Sequence, residues 1–201
     1  MFKTARILVL LAVPALLGGT NLKAATPVQV GPSAWVLNAS PNELDLVRWA
    51  IGRYDRAGLA LPPLEFAFHV DVSGCEGRTG LYHSGIVDLC PVVINPTTQH
   101  TVLHEMAHAW TETNDGAAVR ARFLKLRDLD TWNSWDEPWP DRGWEQAAEV
   151  ISWTIGDRTL PLWSLPHHDP TQILAAYTVL TGRRPPAARP AGRLTAFSQR
   201  T

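Results

Sequence analysis

Cysteine is scarce in this 201-residue sequence: it has only Cys75 and Cys90, and no C-x-x-C pair. So distant a pair makes a weak thiolate metal site, and metal ligation by the two sulfurs is the lesser reading. No cysteine follows the apolar N-terminal run, which argues against a lipoprotein anchor. That run, Ile7 to Leu17, is itself too short for a comfortable membrane span. Positive charge is also sparse where the fold must lie. Residues 26–182 hold ten Lys and Arg against all 19 Asp and Glu, a balance that argues against nucleic acid as the main partner. No internal repeat is visible.

What is present begins with a leader. Lys3 and Arg6 precede the apolar run, and small and polar residues follow it to Ala25. This is the pattern of a secretory signal peptide over 1–25, cleaved near Ala24 or Ala25, with an uncleaved N-terminal anchor as the alternative. The expected location is therefore secreted or cell envelope, with no membrane span once the signal is removed. Residues 26–182 form one domain by length. The Arg/Pro/Ala-rich segment 183–201 carries five Arg and no acid, and is expected to be a disordered tail. In an oxidising compartment Cys75 and Cys90 are expected to form a disulfide, which would stabilise by about 3 kcal/mol.

The chemistry concentrates in residues 101–110, Thr-Val-Leu-His-Glu-Met-Ala-His-Ala-Trp. His104, Glu105 and His108 make a complete H-E-x-x-H. Four residues is about one helical turn, so His104 and His108 can present two imidazoles to one metal ion. Glu105 lies beside them, where a carboxylate can take a proton from a water. Apolar neighbours Val102, Leu103, Met106, Ala107 and Trp110 argue for a buried helix rather than a solvated one. Asn95 as N-cap and Pro96 at the first position give it a start.

Around this helix the pattern predicts mixed secondary structure. A capping box, Ser40 to Glu43, opens a helix that Gly58 stops. Residues 64–70 alternate at period two and read as a strand, with His69 on its solvent side. Thr79–His83 and Ile86–Cys90 can pair as a hairpin across Ser84 and Gly85, offering a sheet edge to an extended peptide. Further helices are expected over 117–128, from Gly143 to Gly156, and from Asp169 to Gly182. Trp132, Trp135, Trp139 and Trp144 lie between the first two of these, either as a packed lid or as a sugar- or peptide-facing surface.

Glu145 and Glu149 sit four apart on a helix otherwise made of Ala, Val, Ile and Trp. Two buried carboxylates on such a helix need a cation or an imidazole N–H, the alternative being a solvated pair beside Arg142 and Gln146. With H-E-x-x-H and this E-x-x-A-E in view, residues 95–156 resemble the gluzincin class of zinc metallopeptidases. The metzincin pattern fails, because Thr111 and Asn114 stand where it needs Gly and a third His. The resemblance implies one Zn2+ per chain on His104, His108 and Glu145, with Glu149 accepting a hydrogen bond from a ligand His. It implies Glu105 as general base for a zinc-activated water, and a peptide or protein substrate. Tyr82, His167, His168 and Tyr177 are the candidate oxyanion donors. The fold expected is α+β, a small N-terminal antiparallel sheet packed on a mainly helical zincin-like domain centred on the H-E-x-x-H helix.

Two other functions fit the same residues. One is an envelope-associated binding protein with a structural or vestigial zinc site. The other is a zinc amidase acting on cell-wall amide bonds.

Overall fold

Among the described residues lie five short strands and five α-helices, in the α+β class expected. The computed structural model describes residues 26–91, 93–162, 165–166 and 168–187. The signal segment 1–25, His167 and tail residues 188–201 therefore lie outside the described residues. Strands β1 (Val28–Gly31) and β2 (Ala34–Leu37) form a tight antiparallel hairpin. No period-two run of useful length marks them in the sequence, because each has only four residues.

Helix α1 (Pro41–Ala57) follows, with both halves of the Ser40/Glu43 capping box formed and Gly58 in the left-handed conformation at its end. It crosses over to β3 (Leu64–Phe68), so β2 and β3 run parallel. A long helical connection favours that direction, just as a two-residue turn favours the antiparallel one. The predicted hairpin forms as β4 (Gly80–His83) and β5 (Ile86–Leu89), and β5 lies parallel to β3. The sheet order is β1-β2-β3-β5-β4. The sheet is thus mixed, not antiparallel, and β4 is an edge strand.

Helix α2 (Pro96–Asn114) runs beside β4 and against α4 (Gly143–Ile155), with α3 (Ala117–Arg127) and α5 (Pro170–Thr181) closing the helical side. Asn95 caps α2 through its side chain, with Pro96 at the first position as expected. Val102, Leu103, Met106 and Ala107 are fully buried. Burial of a side chain such as Leu103 or Met106 contributes about 1.5–3 kcal/mol. The Tyr54 hydroxyl ties α1 to α2 by donating to the Leu103 carbonyl at 2.7 Å. Arg53 donates to the carbonyls of Ile155 and Gly156, groups that a helix C-terminus leaves without partners.

Cys75 and Cys90 are joined in a disulfide, Cα atoms 6.2 Å apart, tying the 3-10 turn Val72–Cys75 to the end of β5. Two expectations shift. His69 keeps the outward side of the alternation, its side chain 33 % exposed, but it lies one residue past the end of β3 and its ring meets Asp88 at 2.5 Å. Residues 183–187, expected in the disordered tail, include a contact to the body, the Pro186 carbonyl accepting from Arg158 at 2.6 Å. No helix among the described residues is long and apolar enough to cross a membrane.

Candidate metal centre

Helix α2 presents a row of imidazoles because its histidines fall four apart, and α4 answers with two carboxylates at the same spacing. The Nε2 atoms of His104 and His108 both face one carboxylate oxygen of Glu145, at 3.3 and 3.2 Å. The Nδ1 of His104 points the other way, to Oε2 of Glu149 at 3.1 Å. His104, Glu105, His108 and Glu149 are all buried, and the Glu145 side chain is 15 % exposed. A solvated outer-face pair is therefore ruled out for the two glutamates. Gln146 does not compete for them: it is fully buried and joins Arg127 (2.8 Å) to the Pro140 carbonyl (2.7 Å).

The electrostatics are those of a site in need of positive charge. Burial opposes ionisation of Glu145, but hydrogen bonds from His104 and His108 hold its carboxyl well below the usual range. Glu149 is held down likewise by His100 and His104, against its burial. Burial also works against a charged His104, yet the bonds to Glu145 and Glu149 and the nearby Glu105 carry its pKa up to about 10. His108 goes down, through burial first and then the charge on His104 beside it. His104 and the carboxylates of Glu145 and Glu149 thus favour one another's charged forms across the interface.

The donor set suits a divalent metal. One atom each from His104, His108 and Glu145 lie within 4.8 Å of one another, two imidazole nitrogens and one carboxylate oxygen. That composition is familiar for catalytic zinc, which takes three protein donors and keeps a fourth position open. A cation held there would take over the role of the proton on His104.

The cluster floors an open cavity of about 530 Å3. One wall is β4. A Cβ on Gly80 would come within 2.6 Å of Thr101 Cγ2 and 2.8 Å of Glu105 Oε1, so only glycine lets the edge strand approach Glu105 this closely. The opposite wall is the tryptophan segment. Trp144 stacks on His108 (centroids 4.7 Å) and Trp139 on His104 (5.8 Å). Trp132 packs against Phe123 and Trp144, while Trp135 is 75 % exposed with the Arg142 guanidinium over its ring. The segment is thus both lid and surface: Trp132 packs inward, while Trp135, Trp139 and Trp144 line the cavity. Its ends meet where Gly143 N–H and Trp144 N–H donate to Thr131 and Trp132. Gly143 allows this approach, since a Cβ there would lie 2.6 Å from Leu124 Cδ2 and 3.1 Å from the Thr131 carbonyl.

Of the candidate oxyanion donors among the described residues, Tyr82 alone borders the cavity. Its hydroxyl donates to Glu112, and burial together with that bond pushes its pKa up to about 12. Tyr177 is fully buried in α5 away from the cavity, because that helix turns its ring into the core. His168 binds the Leu165 carbonyl at 3.2 Å and does not border the cavity either.

Two histidines outside the sequence motifs do border it. His83 shares Asp88 with His69, its Nε2 at 2.7 Å from Oδ2. His100 places Nε2 at 2.9 Å from Oε2 of Glu149. The signal for His100 was there, a third histidine four residues before His104. The His83–Asp88 contact depends on hairpin register and has no local signal. No protein-family model matches the chain, and no curated protein or solved structure matches it significantly.

Proposed function

We propose that this chain is an exported zinc metallopeptidase in which His104, His108 and Glu145 hold the metal and Glu105 is the general base. The observation that carries the reading is the opposed use of one ring: His104 Nε2 faces Glu145 beside His108 Nε2, while its Nδ1 meets Glu149. An imidazole whose Nδ1–H is held by a carboxylate keeps the Nε2 lone pair for a metal. Zinc in that position supplies Lewis acidity toward a water and a carbonyl oxygen.

The protein's own groups account for the rest. Glu105 takes the proton of the attacking water and delivers it to the leaving amine. A general base beside the histidine pair favours an enzyme over a structural zinc site, which needs none. The outer edge of β4 offers backbone N–H and C=O groups to an extended peptide lying across the cavity. Tyr82 borders the cavity and would donate to the developing oxyanion by exchanging its bond to Glu112 for one to the substrate.

A second reading is favoured by one observation, the exposure of Trp135 and Trp139 on the cavity wall. Flat, exposed indoles beside Arg142 and Asn133 suit a glycan-bearing substrate, so the bond cut would be a cell-wall amide. The same wall could serve a binding protein that engages a glycan or a partner, with the metal structural. Digestion of a peptide library beside a peptidoglycan preparation, with and without chelator, separates the readings. Peptide cleavage abolished by chelation and restored by zinc supports the peptidase. Cleavage of peptidoglycan alone supports the amidase, and no cleavage of either leaves the binding role.

A further inference from the structure

His100, His104 and His108 lie four apart on one face of α2, and Glu145 and Glu149 lie four apart on α4. Their contacts alternate across the helix interface. His108 meets Glu145 at 3.2 Å and Glu145 meets His104 at 3.3 Å; His104 meets Glu149 at 3.1 Å and Glu149 meets His100 at 2.9 Å. The last two contacts converge on a single atom, Oε2 of Glu149.

We propose that His100 is a positioning residue for the metal centre: its Nε2–H fixes the Glu149 carboxylate, which in turn fixes the ring of His104. The inference rests on the zinc reading of His104, His108 and Glu145, and extends it one residue further along α2. Glu149 has few ways to turn, being 5 % exposed, and two N–H donors on one oxygen define its rotamer. If Glu149 swung away, the His104 ring would lose the bond that sets its χ2, leaving only ring packing to keep Nε2 on Glu145. Only the Nε2 side of His100 is used, since its Nδ1 is buried without a hydrogen-bond partner.

The same atoms admit a rival. His100, His104 and Glu149 also form a three-donor group within 4.8 Å, which could hold a second ion. The chemistry of His104 argues against it. A neutral imidazole that gives Nε2 to one metal keeps its proton on Nδ1, and there it is a donor to Glu149 rather than a ligand.

The test compares His100→Phe, which keeps bulk and loses the donor, with His100→Gln, whose amide nitrogen stands near the place of Nε2. Zinc affinity is read by chelator competition. The His104 Nδ1–H is read in metal-free protein by NMR, as a slowly exchanging ring proton. His100→Phe is expected to weaken zinc by about tenfold, the lower end for groups outside the ligand set, with His100→Gln restoring most of it. In a Glu149→Ala background His100→Phe should add little, because the two residues act through one path. The ring proton should exchange faster in His100→Phe and recover in His100→Gln. Unchanged affinity and unchanged exchange in His100→Phe overturn the proposal while leaving the zinc centre standing. A wild type that binds no zinc but whose ring proton still depends on His100 overturns the zinc reading and keeps the positioning. Two zinc ions per chain, one of them lost in His100→Ala, would make His100 a ligand and overturn its positioning role.

Discussion

His104 and Glu149 meet across the α2–α4 interface at 3.1 Å, Nδ1 to Oε2, while the other nitrogen of that ring lies 3.3 Å from Glu145. The two glutamates therefore face the histidines in different ways. Glu145 shares the two Nε2 atoms, and Glu149 takes the back of one ring.

Replacing the two glutamates should separate those ways. Glu145→Ala is expected to lose most zinc affinity, because it removes a donor from the three-atom set. Glu149→Ala is expected to lose about 10–100-fold, as for other groups that hold a ligand in place. Zinc titration of the two purified variants decides the matter, and the reverse order would exchange their roles.

Metal content should depend on the paired imidazoles. The wild-type protein is expected to carry about one zinc per chain, in line with a single three-donor catalytic site. His104→Ala and His108→Ala should each lose it. Metal analysis of refolded proteins checks this, and the His69 and His83 pair on Asp88 provides controls, since His69→Ala should leave zinc in place.

Gly80 should resist substitution. In Gly80→Ala the new methyl would push on Thr101 and on the Glu105 carboxylate. Overpacking of this kind costs about 1–3 kcal/mol. Turnover should fall more than zinc content, because Glu105 is displaced while the ligands on α2 and α4 are not. Steady-state kinetics beside metal analysis tests this, and full activity in Gly80→Ala would show that Glu105 has room to spare.

The disulfide ties the turn at Cys75 to β5. Reduction, or Cys75→Ala with Cys90→Ala, should destabilise the fold by about 3 kcal/mol, the chain-entropy value for a loop of this size. Thermal melts with and without reductant measure it, and two free thiols in freshly exported protein would contradict both the bond and the export.

The helical part of the site was legible because a period of 3.6 turns sequence spacing directly into geometry. That is why the spacing of His104 and His108, and of Glu145 and Glu149, was enough to put each pair on one face. His100 obeys the same period, but it lies outside the four-residue motif. The sheet was less legible. The β4–β5 hairpin could be read from Ser84 and Gly85, but the parallel pairing of β2, β3 and β5, which makes the sheet mixed rather than antiparallel, depends on where crossovers deliver the chain. The His83–Asp88 contact is diagonal across that hairpin, so it follows from register rather than from spacing. Tyr177 was misplaced because α5 is apolar over most of its circumference, which hides the face that turns inward.

The central claim is that Glu105 does chemistry beside a metal it does not bind. Glu105→Gln tests that most directly, with zinc content and peptide hydrolysis measured on the same preparation. The variant is expected to keep its fold and about one zinc per chain, as all three donors remain, and to lose nearly all hydrolysis. Hydrolysis near the wild-type rate with zinc still bound would contradict the account.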